Sequence, residues 1–239
     1  MLRTVALSTL AGCSGAPSFA GDAPADYNAD TVSWTSLFAG ELTSAWKMSV
    51  IANQPGHDDP GRFELVDGAL RAVPGNDIGL LWYTQPTPES FELALEWNQA
   101  SPDDNSGVFV RFPDLDSKGY DNTAWVAVNF GFEIQIDNHG YPDGAPKHTT
   151  GAIYNVDAQD FSLVHPRAVG EWNEYRIRVI GDVYEVFLND QQTTRFVNND
   201  PTRGAASPAF IGLQTHPAPG SVAFRNIRIR EISSAAVRD

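Results

Sequence analysis

From Trp34 onward the chain alternates short apolar runs with turn residues, the pattern of a protein built from strands. Phe63-Glu64-Leu65-Val66 and Ala69-Leu70-Arg71-Ala72 flank Asp67-Gly68, a strong two-residue hairpin signal. Phe91, Leu93, Leu95 and Trp97 alternate with Glu92, Ala94, Glu96 and Asn98, which predicts a strand with one apolar face. Val108–Phe112, Phe132–Asp137, Tyr175–Ile180, Val183–Leu188, Gln192–Val197, Phe210–Gln214 and Val222–Ile232 continue the series, with a tight turn at Asn189-Asp190-Gln191. No eleven-residue window carries a 3.6-residue apolar period, so little helix is expected. About a dozen strands without βαβ alternation or a fixed repeat predict an all-β, two-sheet sandwich. Its interior takes the large rings, Trp34, Trp46, Trp97 and Trp172 among them.

Composition narrows the ligand class. Sixteen Lys and Arg against thirty Asp and Glu give a net charge of −14 in 239 residues. Nucleic-acid affinity rests on neutralising phosphates, so no nucleic-acid partner is expected and a neutral ligand such as a sugar fits better. The single cysteine, Cys13, excludes an internal disulfide and any multi-cysteine metal site. Arg3, the apolar stretch 5–10 and Leu10-Ala11-Gly12-Cys13 resemble a bacterial lipoprotein box, with Cys13 as the lipidated residue. Ordinary signal cleavage after Ser18-Phe19-Ala20 and a chance cysteine are the other two readings. The expected organisation is a signal segment over 1–13, a flexible tether over 14–33, one folded unit over 34–232 and a short tail over 233–239. The protein is expected to be exported, periplasmic or at the cell surface, meeting a membrane only through a lipid on Cys13.

Several polar residues do not suit a core. In strand 132–137, Glu133, Gln135 and Asp137 share the face opposite Phe132, Ile134 and Ile136. Arg111 ends an otherwise apolar strand that follows Asn105, Tyr154 ends Gly151-Ala152-Ile153, and Gln214 and His216 lie opposite Leu213. Amides, carboxylates, a guanidinium and aromatic rings are what sugar hydroxyls and C–H faces require. A merely solvated sheet face is the competing reading.

These residues also carry a family resemblance. Phe38-Ala39-Gly40 with Trp46, Asp67-Gly68-Ala69-Leu70, Phe91-Glu92-Leu93 with Glu96-Trp97, and Asn105-Ser106-Gly107-Val108-Phe109-Val110-Arg111 come first. Phe132 to Asp137, Gly151-Ala152-Ile153-Tyr154, Gly170-Glu171-Trp172-Asn173 with Tyr175, Leu188-Asn189, Ile211 to His216 and Phe224 to Ile229 follow in order. Together they resemble the 3-keto-disaccharide hydrolase family across nearly all of 34–232. The resemblance implies a jelly roll of the concanavalin A-like lectin/glucanase type with a concave sugar-facing sheet. It also implies action on oligosaccharides or glycosides oxidised at C3, usually outside the cytoplasm. Ala39 departs from the family's usual Asp, and Pro113–Asn129, with Trp125 inside it, is longer than usual and is expected to form a loop over the concave face.

A C3 ketone acidifies the C2 proton, so a base can form an enolate, the C1 oxygen leaves, and water adds back. Such a site needs one positioned base and donors for the oxyanion. Asp137 or Glu133 is the expected base, with Arg111 and His216 stabilising the oxyanion or protonating the leaving group. Gln135, Gln214, Tyr154 and Asn105 would bind hydroxyls. Retaining hydrolysis by Glu133 and Asp137 is disfavoured. Their Cα atoms stand about 13 Å apart on a strand, a gap that long side chains leaning together could close to about 5 Å, the separation of paired carboxyls in that mechanism. Asp137, however, is one methylene shorter than Glu, and Gln135 stands where the central acid of such a strand belongs. A non-catalytic lectin-like binding module is the alternative function. No cofactor is expected; a divalent cation held by His139, Asp143 and His148, or calcium at Asp114, Asp116 and Asp121, is the alternative considered. His57 and His165 read as loop residues.

Overall fold

The computed structural model describes residues 33–52 and 55–232. The signal segment, Cys13, the tail and all of the tether but Ser33 lie outside the described residues. The strands are β1 (Thr35–Phe38), β2 (Trp46–Met48), β3 (Arg62–Val66), β4 (Ala69–Val73), β5 (Gly79–Tyr83), β6 (Phe91–Gln99) and β7 (Ser106–Phe112), followed by helix α1 (Ala124–Phe130). Then come β8 (Phe132–Ile136), β9 (Asp160–Phe161), β10 (Asn173–Ile180), β11 (Val183–Leu188), β12 (Gln191–Val197), β13 (Phe210–Thr215) and β14 (Val222–Glu231). They form the expected two-sheet sandwich. A nine-stranded sheet runs β3-β4-β14-β6-β10-β11-β12-β9, with β1 also on β14, and a five-stranded sheet runs β2-β5-β13-β7-β8.

Alternation along the strands builds the core. Leu93, Leu95, Trp97, Tyr175, Ile177 and Val179 of the larger sheet pack against Val108, Val110, Ile134, Ile136, Ile211 and Leu213 of the smaller one. The hairpin turns follow the sequence. Asp67 and Gly68, and Asn189 and Asp190, all take positive φ, the handedness that matches strand twist in two-residue turns. Gln191 belongs to β12, so the second turn is one residue shorter than expected.

Two expectations change. The long segment after Pro113 is not a plain loop: it makes a 3-10 turn over Leu115–Lys118, capped by Asp114, and then α1. Seven residues do not hold a helix in water by themselves. Ala124, Val126 and Ala127 hold it by packing on Leu80, Trp82, Phe109, Phe112 and Phe210, on the outer face of the smaller sheet. Trp34 and Trp172 are not core residues. Trp34 is 36% exposed and lies against Arg228 and Arg230, and Trp172 stacks under Arg225 at 3.9 Å. These rings cap an ion-pair lattice on the outer face of the larger sheet, where Arg230, Glu92, Arg178, Glu185 and Arg195 face one another across five strands.

Candidate active site

The outer face of the smaller sheet is divided in two. Strand register sets Trp82, Gly212, Phe109 and Glu133 in one row, and Leu80 beside Gln214 with Gly107 beside Gln135 in the next. His216, Asn105 and Asp137 each stand one residue beyond a strand end and continue the pattern. Helix α1 covers Leu80, Trp82 and Phe109. What it leaves is polar: Glu133, Gln135, Asp137, Asn105 and Gln214 are each 9% exposed or less.

Burial of β8 comes from both its edges. Phe109 and its neighbours on β7 pair one side. On the other, Tyr154 N–H donates to Glu133 O at 2.9 Å, and Gln135 and segment 151–152 exchange bonds of 3.0 Å. From behind, the Tyr175 hydroxyl donates to Gln135 O at 2.6 Å, pinning the strand to the larger sheet. Glu133 then folds over Gly107. A Cβ at residue 107 would stand 2.2 Å from Glu133 Oε1, so only glycine permits this approach. The carboxyl reaches the Gln214 amide, which donates to it. Burial dominates its titration and pushes the pKa up to about 8, against the Gln214 bond and the charge of Arg203. The Gln135 amide, its nitrogen turned toward Glu133, donates to Glu133 Oε1 and to Ser106 O, 3.2 Å from each. Gln214 Oε1 is buried with no hydrogen-bond partner among the described residues. A group that loses water without gaining a partner points to a ligand donor such as a hydroxyl.

His216 complements this acid. Burial lowers its pKa, opposed by its bond to Pro217 O and by the charge of Asp137. Nδ1 lies 2.8 Å from that carbonyl, which can only accept, so Nδ1 carries the proton and Nε2 keeps its lone pair. Tyr154 remains a neutral phenol: burial raises its pKa, helped by Glu133 and Asp137. Its ring packs 4.9 Å from that of His148, whose Nδ1 is 2.7 Å from Asp143 Oδ1.

Asp137 is in the group but engaged. Its oxygens accept from His139 N–H at 2.8 Å, Tyr141 N–H at 2.7 Å and Asn105 Nδ2 at 3.3 Å. It shapes the following loop and has little left for a substrate proton. Arg111 is not in the group. The bulge where β13 meets β7 gives it φ +60°, and its guanidinium donates to Gly204 O and Glu89 O at 3.2 Å each. The guanidinium whose charge acts on Glu133 is that of Arg203, which donates to Gly131 O at 2.7 Å and lies over the Phe132 ring. No motif singled out Arg203, which stands seventy residues along the chain from Glu133, in an irregular loop.

Among the described residues no three His, Cys, Asp or Glu side chains gather to hold a metal ion. His139 and His148 face different carboxylates, Asp103 and Asp143. Asp114 caps the 3-10 turn and Asp116 pairs with Lys47 at 2.6 Å.

The fold recurs in solved structures. One candidate glycosyl hydrolase from Parabacteroides distasonis is 26% identical with a TM-score of 0.61, covering 84% of this chain and 100% of its own. A second from that organism is 19% identical with a TM-score of 0.63, covering 84% and 94%. A galectin-like protein of unknown function from Bacillus subtilis is 12% identical with a TM-score of 0.56, covering 83% and 98%. No curated protein matches the chain. The model of the 3-keto-alpha-glucoside-1,2-lyase-like domain matches residues 33–230, and with the sandwich around that match the chain belongs to this glycoside-acting family.

Proposed function

We propose that the protein cleaves 3-keto-glycosides by elimination and rehydration, with His216 as base and Glu133 as acid. The observation that carries this is the buried Glu133 carboxyl, pushed up to about 8 beside amides that include an unpartnered Gln214 oxygen. Two titratable groups whose surroundings drive their pKa values apart define an acid and a base. Near neutral pH the imidazole is unprotonated at Nε2 and the carboxyl still holds its proton, so both begin in the state each role needs.

His216 Nε2 takes the C2 proton, and the C2–H electrons form the C2=C3 enolate with charge on the former keto oxygen. That charge returns to the ketone as C1=C2 forms and the C1–O bond breaks. Glu133 gives its proton to the departing oxygen. Water then adds across C1=C2, its oxygen bonding C1 and a proton returning to C2, for net hydrolysis. Tyr154 O–H and the second amide N–H of Asn105 are the donors for the enolate oxygen. Gln214 Oε1 accepts a sugar hydroxyl. Gln214, whose amide meets the Glu133 carboxyl, is two residues from His216, about 7 Å along an extended chain, which leaves room for the C1–C2 edge of one ring. This assignment reverses the expected roles of Glu133 and His216, because burial raises one group and lowers the other. Asp137 and Arg111 take no part in proton transfer. Export, read from residues 1–20, belongs to the same proposal.

The test is product analysis on 3-keto-disaccharides beside their unoxidised parents. Release of the aglycone sugar from the keto substrates alone, lost in both Glu133→Gln and His216→Asn, supports the reading. Binding without release in the wild-type chain would make it a lectin-like module instead.

A further inference from the structure

We infer that the segment following β7 carries a second sugar-binding surface, one that holds a pyranose ring of the substrate's unreacted portion on Trp125. The inference deepens the proposed function and rests on it for the identity of the ligand. Gly119, Tyr120, Asp121, Asn122 and Trp125 line a hollow of about 420 Å³. Tyr120 and Trp125 remain 36% and 39% exposed, whereas Ala124, Val126 and Ala127 of the same segment are buried. Helix α1 therefore turns its small residues to the sheet and its tryptophan to solvent.

The polar groups around these rings divide into used and free. The Asn122 amide is committed, donating to Ile78 O at 2.9 Å and accepting from Ala124 N–H at 3.0 Å. Tyr120 is steadied by Asn129, whose Nδ2 donates to its oxygen at 3.5 Å, and by the Phe130 ring 6.4 Å away. Its own hydroxyl proton is left to donate. The Asp121 carboxylate has no hydrogen-bond partner among the described residues and is left to accept. An exposed indole with one donor and one acceptor beside it matches the apolar face and equatorial hydroxyls of a pyranose. The net charge of −14 disfavours an anionic occupant. The place in the fold connects this hollow to the reaction: α1 packs on Phe109, which pairs with Glu133 across the strands. Because a helix with its side chains is about 10–12 Å across, a short substrate at Glu133 ends before Trp125 and a longer one reaches it.

The experiment uses the full chain and the variants Trp125→Ala, Trp125→Phe and Tyr120→Phe. Turnover is measured on a 3-keto-disaccharide and on 3-keto-tetrasaccharides, and calorimetry follows binding of maltotetraose and cellotetraose. Expected is a rise in KM of about tenfold for tetrasaccharides in Trp125→Ala, with disaccharide kinetics unchanged, and a matching loss of affinity for whichever tetraose the wild-type chain binds. Trp125→Phe, which keeps a ring, recovers part of both. Equal effects on short and long substrates, no effect of Trp125→Ala, or no binding of either tetraose to the wild-type chain would overturn the inference. If no keto substrate is turned over but tetraose binding still depends on Trp125, the proposed chemistry fails and this surface stands.

Discussion

Replacing the Glu133 carboxyl by the isosteric amide, Glu133→Gln, removes one proton equilibrium while leaving an oxygen to accept the Gln214 bond. The unfolded chain releases that proton near 4.5 and the folded chain near 8. Between those values the unfolded state has lost a proton that the native state keeps. The raised pKa therefore contributes stability that is complete below 4.5 and is lost at about 1.4 kcal/mol per pH unit until about pH 8. Relative to acid, the wild-type chain should lose about 3 kcal/mol at pH 7 and about 5 kcal/mol above pH 8. The glutamine variant has no such loss, so its advantage grows with pH. Domains of this size shift in Tm by about 2–4 °C per kcal/mol, which makes the change at pH 7 about 6–12 °C. Thermal and urea unfolding of both chains between pH 4 and 9 measures it, and every other titrating group cancels in the difference. A stability difference that stays flat across that range would refute the buried neutral acid and, with it, the assignment of Glu133 as proton donor.

Other consequences are open to direct measurement. The wild-type pH–rate profile should be bell-shaped, rising as His216 loses its proton below about 6.5 and falling as Glu133 ionises near 8; a profile still rising at pH 9 would contradict it. His216→Asn should lower kcat by about 10²–10⁴ and remove the acid limb. Gly107→Ala drives a methyl into Glu133, and should destabilise by about 1–3 kcal/mol while displacing the carboxyl from Gln214, seen as a shifted basic limb. Asp137→Asn should act on the loop instead, removing about 1.5–3 kcal/mol of stability with kcat within a few-fold of wild type; abolished turnover in a folded variant would return Asp137 to the chemistry.

Elements with one polar face were legible because alternation is a local property. β6, β10 and β8 announce themselves residue by residue, and the turns at Asp67 and Asn189 follow from which residues tolerate positive φ. β5 was missed for the opposite reason. Gly79-Leu80-Leu81-Trp82-Tyr83 is an unbroken apolar run because the opposite sheet covers one face and α1 the other. Strands β1, β2 and β9 are two to four residues long, too short to show a period. Helix α1 is likewise shorter than any window that could reveal it. Trp34 and Trp172 look like core residues by type, yet neighbouring arginines on the larger sheet give them a place outside.

The order of apolar and polar residues by itself determined an all-β sandwich, its main strands, and which side chains of β8 face away from the core. It also marked Glu133, Asp137, Arg111 and His216 as candidates for the chemistry and Gln135, Gln214, Tyr154 and Asn105 as candidates for binding hydroxyls. Only the tertiary structure decided what these groups do. Whether a carboxyl is a buried acid, as at Glu133, or the hub of a loop, as at Asp137, depends on water removed and hydrogen bonds supplied by segments far away in sequence. The same holds for Arg111, which a bulge turns away, and for Arg203, which an irregular loop brings toward Glu133. Titration, burial and long-range charge belong to neighbours in space, and a linear pattern carries no record of them.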